Sequence, residues 1–164
     1  INEYASNTLK FIIAPHQINS AQIGKLKSQL QVPTVLFSEK KDQKLSQFQV
    51  LIIDTIGLLT KVYNYADIAY VGGAVGKTGL HNTLEPAVFG VPIIIGNNYK
   101  NFPEAKEMIN KGGVYAVNNE TEIEEILNRL VATPKKRQEL GQFNFNYIKK
   151  NRGAVIQIIN FLRT

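Results

Sequence analysis

The chain has 164 residues, 44% hydrophobic and 20% charged, a composition that fits one compact soluble domain over residues 1–164 and excludes a disordered segment or fibrous repeat. It contains no cysteine, which rules out a disulfide framework, a thiolate metal site and a thiol nucleophile. The formal net charge of +6 suits an anionic partner, and no run approaches the ~18 consecutive apolar residues that a spanning helix needs.

Short apolar, β-branched runs at residues 11–14, 34–37, 50–53, 68–71, 92–95 and 114–117 read as buried parallel strands, because they lack the alternation of half-exposed ones. Helical patterns fall between them. Ile23, Leu26 and Leu30 follow a Ser20 cap, and Leu58, Leu59, Val62 and Tyr63 follow the third strand. Residues 38–47 have no apolar period and read as an exposed loop. Ile123, Ile126, Leu127 and Leu130 mark a helix capped by Asn119 or Thr121, and Thr133-Pro134 opens another with proline at its first position. This alternation predicts a Rossmann-like α/β fold, a parallel sheet with helices on both faces. The last helices, through Phe143, Tyr147, Ile156, Ile159 and Phe161, exceed that minimum and are candidates to cross to a partner domain. With no initiating Met and a strand-like run starting almost at once, the segment reads as a piece of a longer protein.

Ligands of open α/β sheets lie beyond the carboxyl ends of the strands. There, residues 72–86 hold four of the twelve glycines before a short helix ending at Gly90. Glycines admit positive φ and close backbone approach, and free N–H groups favour an anion, so a phosphate could rest on Gly72, Gly73 and Gly79. A ligand-free turn is the plainer reading. The Walker spacing is absent, since Lys77-Thr78 precedes Gly79. Glu85, early in the helix, suits a ribose diol, which needs a paired-oxygen acceptor, or else it only favours the helix dipole. His81 and Asn82 can cap the helix or donate to a phosphate oxygen. His16, like any lone histidine, is as readily structural as functional. No Asp-x-Asp or His-x-x-x-His spacing offers a metal site, and no cofactor is expected. Lys135, Lys136, Arg137, Lys149, Lys150 and Arg152 gather the positive excess near the C-terminus, as a solvated helix face or a contact for anionic lipid; no nucleic-acid partner is expected.

These residues carry a resemblance. Gly72-Gly73, then Gly79-Leu80-His81-Asn82-Thr83-Leu84-Glu85-Pro86-Ala87, Gly96 and Asn101-Phe102-Pro103-Glu104-Ala105 resemble the donor-site signature of 3-deoxy-D-manno-octulosonic acid (Kdo) transferases. Asp54-Thr55-Ile56-Gly57-Leu58-Leu59 with Tyr63 and Ala66-Asp67 is similar to the family's strand, turn and helix, and Pro15-His16 stands where it has Pro-Arg-His. The sequence departs from the usual pattern at His16 in place of Arg, Leu58 in place of Glu and Leu80 in place of a second Gly. The resemblance implies the C-terminal half of a GT-B glycosyltransferase, binding CMP-Kdo through Pro15, His16, Ile56, Gly57, Gly72, Gly73, Gly79, His81, Asn82, Thr83, Leu84 and Glu85. It places the lipid A precursor, the catalytic base and the membrane anchor in an N-terminal half, so no catalytic residue is expected in this chain. It also implies work on the cytoplasmic face of the bacterial inner membrane, in lipopolysaccharide synthesis, by metal-independent displacement at the anomeric carbon. Two alternatives remain at this level: a GT-B transferase or epimerase domain for a UDP-sugar, and a noncatalytic α/β binding module.

Overall fold

The computed structural model describes residues 1–75 and 79–163. It divides into two compact units, Ile1–Lys61 and Val62–Thr164.

The first unit holds β1 (Phe11–Ile13), α1 (Ser20–Gln29), β2 (Thr34–Leu36) and β3 (Val50–Ile52). Its strands form a parallel sheet in the order β1-β3-β2, with Ile12 and Val35 both opposite Leu51. Ile23 of α1 packs with Val50 and Ile52, and Phe11, Ile13, Leu26, Leu30 and Leu36 close over them. The cap of α1 is Asn19 rather than the expected Ser20: its side chain accepts from Ala21 N at 3.0 Å and Gln22 N at 3.1 Å. Asparagine does this from extended backbone, which leaves Ser20 as the first helical residue. The expected loop at 38–47 contains two 3-10 turns, Phe37–Glu39 and Leu45–Gln47. The Lys10 ammonium holds it through the carbonyls of Ser46 at 2.6 Å and Phe48 at 2.9 Å.

A short helix α2 (Leu59–Val62) and a 3-10 turn (Tyr63–Tyr65) lead into the second unit. There follow β4 (Ala69–Val71), α3 (Leu84–Val88), β5 (Ile93–Gly96), α4 (Pro103–Asn110), β6 (Val114–Val117), α5 (Glu120–Ala132), α6 (Pro134–Asn151) and α7 (Ala154–Leu162). The second sheet is parallel, in the order β4-β5-β6. All four residues of the central β5 are buried, as the unbroken apolar run 92–95 predicts. Alternate β5 side chains feed different clusters, because successive strand residues point to opposite faces. Ile93 and Ile95 join Ala87 of α3, Ala105 and Met108 of α4 and Tyr147 of α6, whereas Ile94 joins Leu130 of α5 and Leu140 of α6. Helices therefore cover both faces of this sheet.

Two side chains that read as surface from the sequence fasten it together. Asn144, fully buried in α6, donates to the carbonyls of Val91 and Gly113, each at 2.8 Å. Gly113 has no side chain because a Cβ there would overlap Asn144 Oδ1. Arg137 donates to the carbonyls of Leu130 at 2.7 Å and Val131 at 3.1 Å, which closes the C-terminal end of α5. Helix α7 exposes Ile156, Ile158, Ile159, Phe161 and Leu162. Among the described residues no helix is long and apolar enough to cross a membrane.

Candidate functional site

In the first unit the carboxyl ends of the adjacent strands β1 and β3 open into a cleft of about 310 Å³. Four residues singled out in the sequence, Pro15, His16, Ile56 and Gly57, line it together with Ala14, Ile18, Ile53, Thr55 and Leu59. Gly57 turns the chain after β3 at φ +82°, and the tip residue Ile56 is 87% exposed. Asp54 ties that turn to the end of β2: its carboxylate accepts from Ser38 N at 2.9 Å and from the Ser38 hydroxyl. Burial pushes the Asp54 carboxyl up, but hydrogen bonds from the Ser38 side chain and backbone, its own backbone and Thr55 hold it below the usual value. Ile18, Thr55 and Leu59 were not predicted as lining residues; their signal is position just beyond a strand end.

In the second unit the double glycine follows β4 directly. His81 N donates to Gly72 O at 3.1 Å, closing the neck of the loop. Gly73 lies at φ +93°, and a side chain there would run into the Gly79 carbonyl and reach within 2.7 Å of the His81 ring. Buried Ala74 and Leu80 pin the two arms of the loop to the core. Gly76, Lys77 and Thr78, part of the predicted phosphate loop, lie outside the described residues.

Asn82 makes one hydrogen bond at each end of its amide to its own chain. Its Oδ1 accepts from Leu84 N at 2.9 Å and its Nδ2 donates to Glu85 Oε1 at 3.0 Å. Of the two roles read for Asn82, the structure shows the cap-like one. Thr83 is 1% exposed, and its hydroxyl has no partner among the described residues. Leu84 stays exposed at the start of α3. Glu85 sits in the first turn of α3, which ends at Val88, two residues before the predicted Gly90. The second Glu85 oxygen has no partner among the described residues. Tyr63 is held above the ordinary tyrosine value by burial and by the Glu85 charge, so the phenol stays neutral beside the carboxylate. Among the described residues no group of His, Asp and Glu is placed to hold a metal ion.

A second cleft, of about 350 Å³, lies between Lys111, Phe143, Asn146, Tyr147 and Lys150. Of the six basic residues grouped in the sequence, Arg137 is committed to α5, and Lys136 pairs with Glu139 at 3.1 Å. Lys135, Lys149, Lys150 and Arg152 remain exposed.

Parallel strands, helices on both sheet faces and a glycine loop closing onto a helix start place the chain in the Rossmann-like α/β class. No protein-family profile matches it. Its sequence is 36% identical over 117 residues to the 3-deoxy-D-manno-octulosonic acid transferase of Haemophilus influenzae, covering 70% of this chain and 27% of that protein. The transferase of the same name from Aquifex aeolicus is 32% identical over 132 residues, 79% of this chain and 36% of the relative. That of Chlamydophila psittaci is 31% identical over 148 residues, 89% and 34% respectively. The chain belongs to the Kdo transferase family, and spans about a quarter to a third of the length of these relatives. In fold it is similar to the C-terminal CMP-Kdo binding domain of WaaA from Acinetobacter baumannii, with a TM-score of 0.77 at 24% identity over 87% of this chain and 75% of that one.

Proposed function

We propose that residues 1–164 are the donor-binding domain of a glycosyltransferase that moves Kdo from CMP-Kdo to a lipid A precursor in lipopolysaccharide synthesis. The observation that carries this is the loop of the second unit: two glycines packed against the His81 ring, followed by a carboxylate with one oxygen that has no partner among the described residues. It occurs in a chain whose family members are named Kdo transferases. The fold likeness to a CMP-Kdo binding domain over 87% of the chain supports the choice of donor.

In this reading Gly72, Gly73, Gly79 and His81 face the cytidylate phosphate, and backbone N–H groups stabilise it as it departs. Glu85 accepts from the ribose. Asn82, Thr83 and Leu84 hold the turn that presents it. The family resemblance assigns base contacts to the segments of Pro15, His16, Ile56 and Gly57, which line the cleft of the first unit. The acceptor, its general base and any membrane anchor belong to the part of the relatives that this chain does not span. The chain by itself is then expected to bind CMP and transfer nothing, since the two reactants must be positioned together.

Thermal melting with nucleotides tests the donor assignment. A ligand that binds only the folded chain raises its apparent stability: CMP is expected to do so and UDP is not. Stabilisation by UDP without CMP would sink the assignment. For work at the inner membrane, Lys135, Lys149, Lys150 and Arg152 support association with anionic lipid, each worth roughly 1 kcal/mol near the surface. Equal sedimentation with neutral and anionic vesicles would leave them a solvated face.

A further inference from the structure

Beyond the glycine loop, the carboxyl edge of the second sheet carries a second wall made by residues 97–102, between β5 and α4. Two anchors hold it on the core, since Tyr99 and Phe102 are half-buried and pack on the main cluster. Phe102 N donates to Tyr99 O at 2.9 Å, which throws Lys100 and Asn101 to the tip of a tight turn. Two further contacts fix the wall against its neighbours. On the β4 side, Asn98 N donates to Ala74 O at 3.1 Å, and a side chain on Gly96 would collide with the same carbonyl, so this wall and the glycine loop touch through backbone. On the β6 side, Asn97 Nδ2 donates to Asn118 Oδ1 at 2.8 Å. Asn118 is itself held by Glu122, which accepts from Asn118 N at 2.9 Å and from Nδ2 at 3.0 Å.

What this fixed wall presents outward is chemically narrow. Asn97, Lys100 and Asn101 are exposed, and residues 97–102 include no carboxylate. Amides recognise hydroxyls in either hydrogen-bonding sense, and an ammonium recognises an anion. A hydroxyl-rich acid matches that set, and an uncharged apolar ligand does not. Strands in a sheet lie about 4.8 Å apart, so the ends of β5 and β6 stand one and two such steps from the glycines after β4. That is the reach of a sugar bonded to a phosphate resting there.

We infer that residues 97–102 form the subsite for the sugar acid of the donor, with the Lys100 ammonium reading its carboxylate and the chain Glu122–Asn118–Asn97 positioning the wall. The inference rests on the donor-site reading above. Lys100 determines specificity, whereas Asn97 and Asn118 act through the loop they hold. An exposed ammonium paired with a carboxylate is screened by salt, so the preference of this chain for CMP-Kdo over CMP weakens as salt is added.

Calorimetry with CMP and with CMP-Kdo, on the chain and on its Lys100→Gln and Asn97→Ala variants, tests this. The unaltered chain is expected to bind CMP-Kdo more tightly than CMP. Lys100→Gln is expected to keep its CMP affinity and lose about tenfold for CMP-Kdo, the loss of one charge-assisted hydrogen bond. Asn97→Ala is expected to show the same split with an unchanged melting temperature. Variants that bind both compounds as the unaltered chain does, or that weaken for both equally, overturn the subsite. An unaltered chain that binds CMP without preferring CMP-Kdo overturns it too, while the donor-site reading stands. No binding of CMP at all removes that reading and this inference together.

Discussion

Replacing Glu85 by Gln tests the ribose assignment with little disturbance of shape. In the folded chain Glu85 Oε1 accepts from Asn82 Nδ2 at 3.0 Å, while Asn82 Oδ1 is occupied by Leu84 N at 2.9 Å. The new amide therefore has one favourable orientation: its oxygen takes over the bond from Asn82, and its NH2 replaces the oxygen that faced the ligand. A ribose diol then meets a neutral donor where it met a charged acceptor. The loss of one charge-assisted hydrogen bond costs about 1.5–3 kcal/mol, or roughly ten- to hundredfold in affinity. Calorimetry with CMP is expected to show that loss at an unchanged melting temperature. A 2′,3′-dideoxy cytidylate is expected to bind the unaltered chain poorly and to lose little more on mutation. If Glu85 serves only the helix dipole, the variant melts earlier and binds CMP as before, which would refute the ribose role.

Substitutions and titrations elsewhere in the chain separate binding from folding. Gly73→Ala is expected to abolish CMP binding, because the residue sits at φ +93° and a Cβ meets the Gly79 carbonyl and the His81 ring. Gly57→Ala, at φ +82° with open space around it, is expected to cost only about 1 kcal/mol of stability in denaturant unfolding. Asn144→Ala is expected to cost about 1–3 kcal/mol, since the buried Val91 carbonyl loses its side-chain donor while the Gly113 carbonyl keeps Ile93 N; no measurable loss would mean that water reaches the Val91 carbonyl. The alkaline limb of stability carries a sign. Burial and Glu85 raise Tyr63, and burial with Glu107 and Glu104 raises Tyr147, above 10.0. Their contribution is fully present below pH 10.0 and is lost as pH rises through the folded values. Glu85→Gln removes one cause for Tyr63, so its ring signals in NMR titration are expected to move at lower pH than in the unaltered chain.

The six strands were legible because parallel strands buried on both faces write themselves as unbroken β-branched runs, and each matches the predicted stretch to within one residue at either end. Their pairing was not. Which strand lies beside which depends on contacts far apart in sequence, and the structure arranges them as two three-stranded sheets. Helix α4 escaped notice because its apolar residues, Ala105, Met108 and Ile109, are few; the available signal was Pro103 at its first position. Asn144 and Arg137 look like ordinary surface residues in a polar helix, and only the fold shows the carbonyls they satisfy. In the site, the glycines and Glu85 stood out because their spacing after a strand is local. Of the wall at 97–102 only Asn101 and Phe102 stood out, as part of the family signature, since its links to Asn118 and Glu122 cross from one strand end to the next.

A polar side chain at a sheet edge can serve the chain or a ligand, and accounting for its bonds separates the two. Asn82 spends one lone pair on Leu84 N and one N–H on Glu85, so the chain sets its orientation and one N–H and one lone pair are left over. Asn118 is likewise held at both ends, by Asn97 and Glu122. Glu85 has one oxygen without a partner among the described residues, and Lys100 stands exposed on a loop whose backbone is fixed at both flanks. A nucleotide monophosphate ester of a sugar acid asks for three things: backbone N–H groups for the phosphate, an anionic acceptor for the ribose, and a cation for the acid. In the proposed reading the second unit supplies them from the turn after β4, the start of α3 and the turn after β5. Discrimination then lies in the third contact, because the first two would serve any ribonucleotide. If that reading holds, exchanging Lys100 for a neutral residue should turn a CMP-Kdo site into a plain CMP site, without touching a residue proposed to hold the nucleotide.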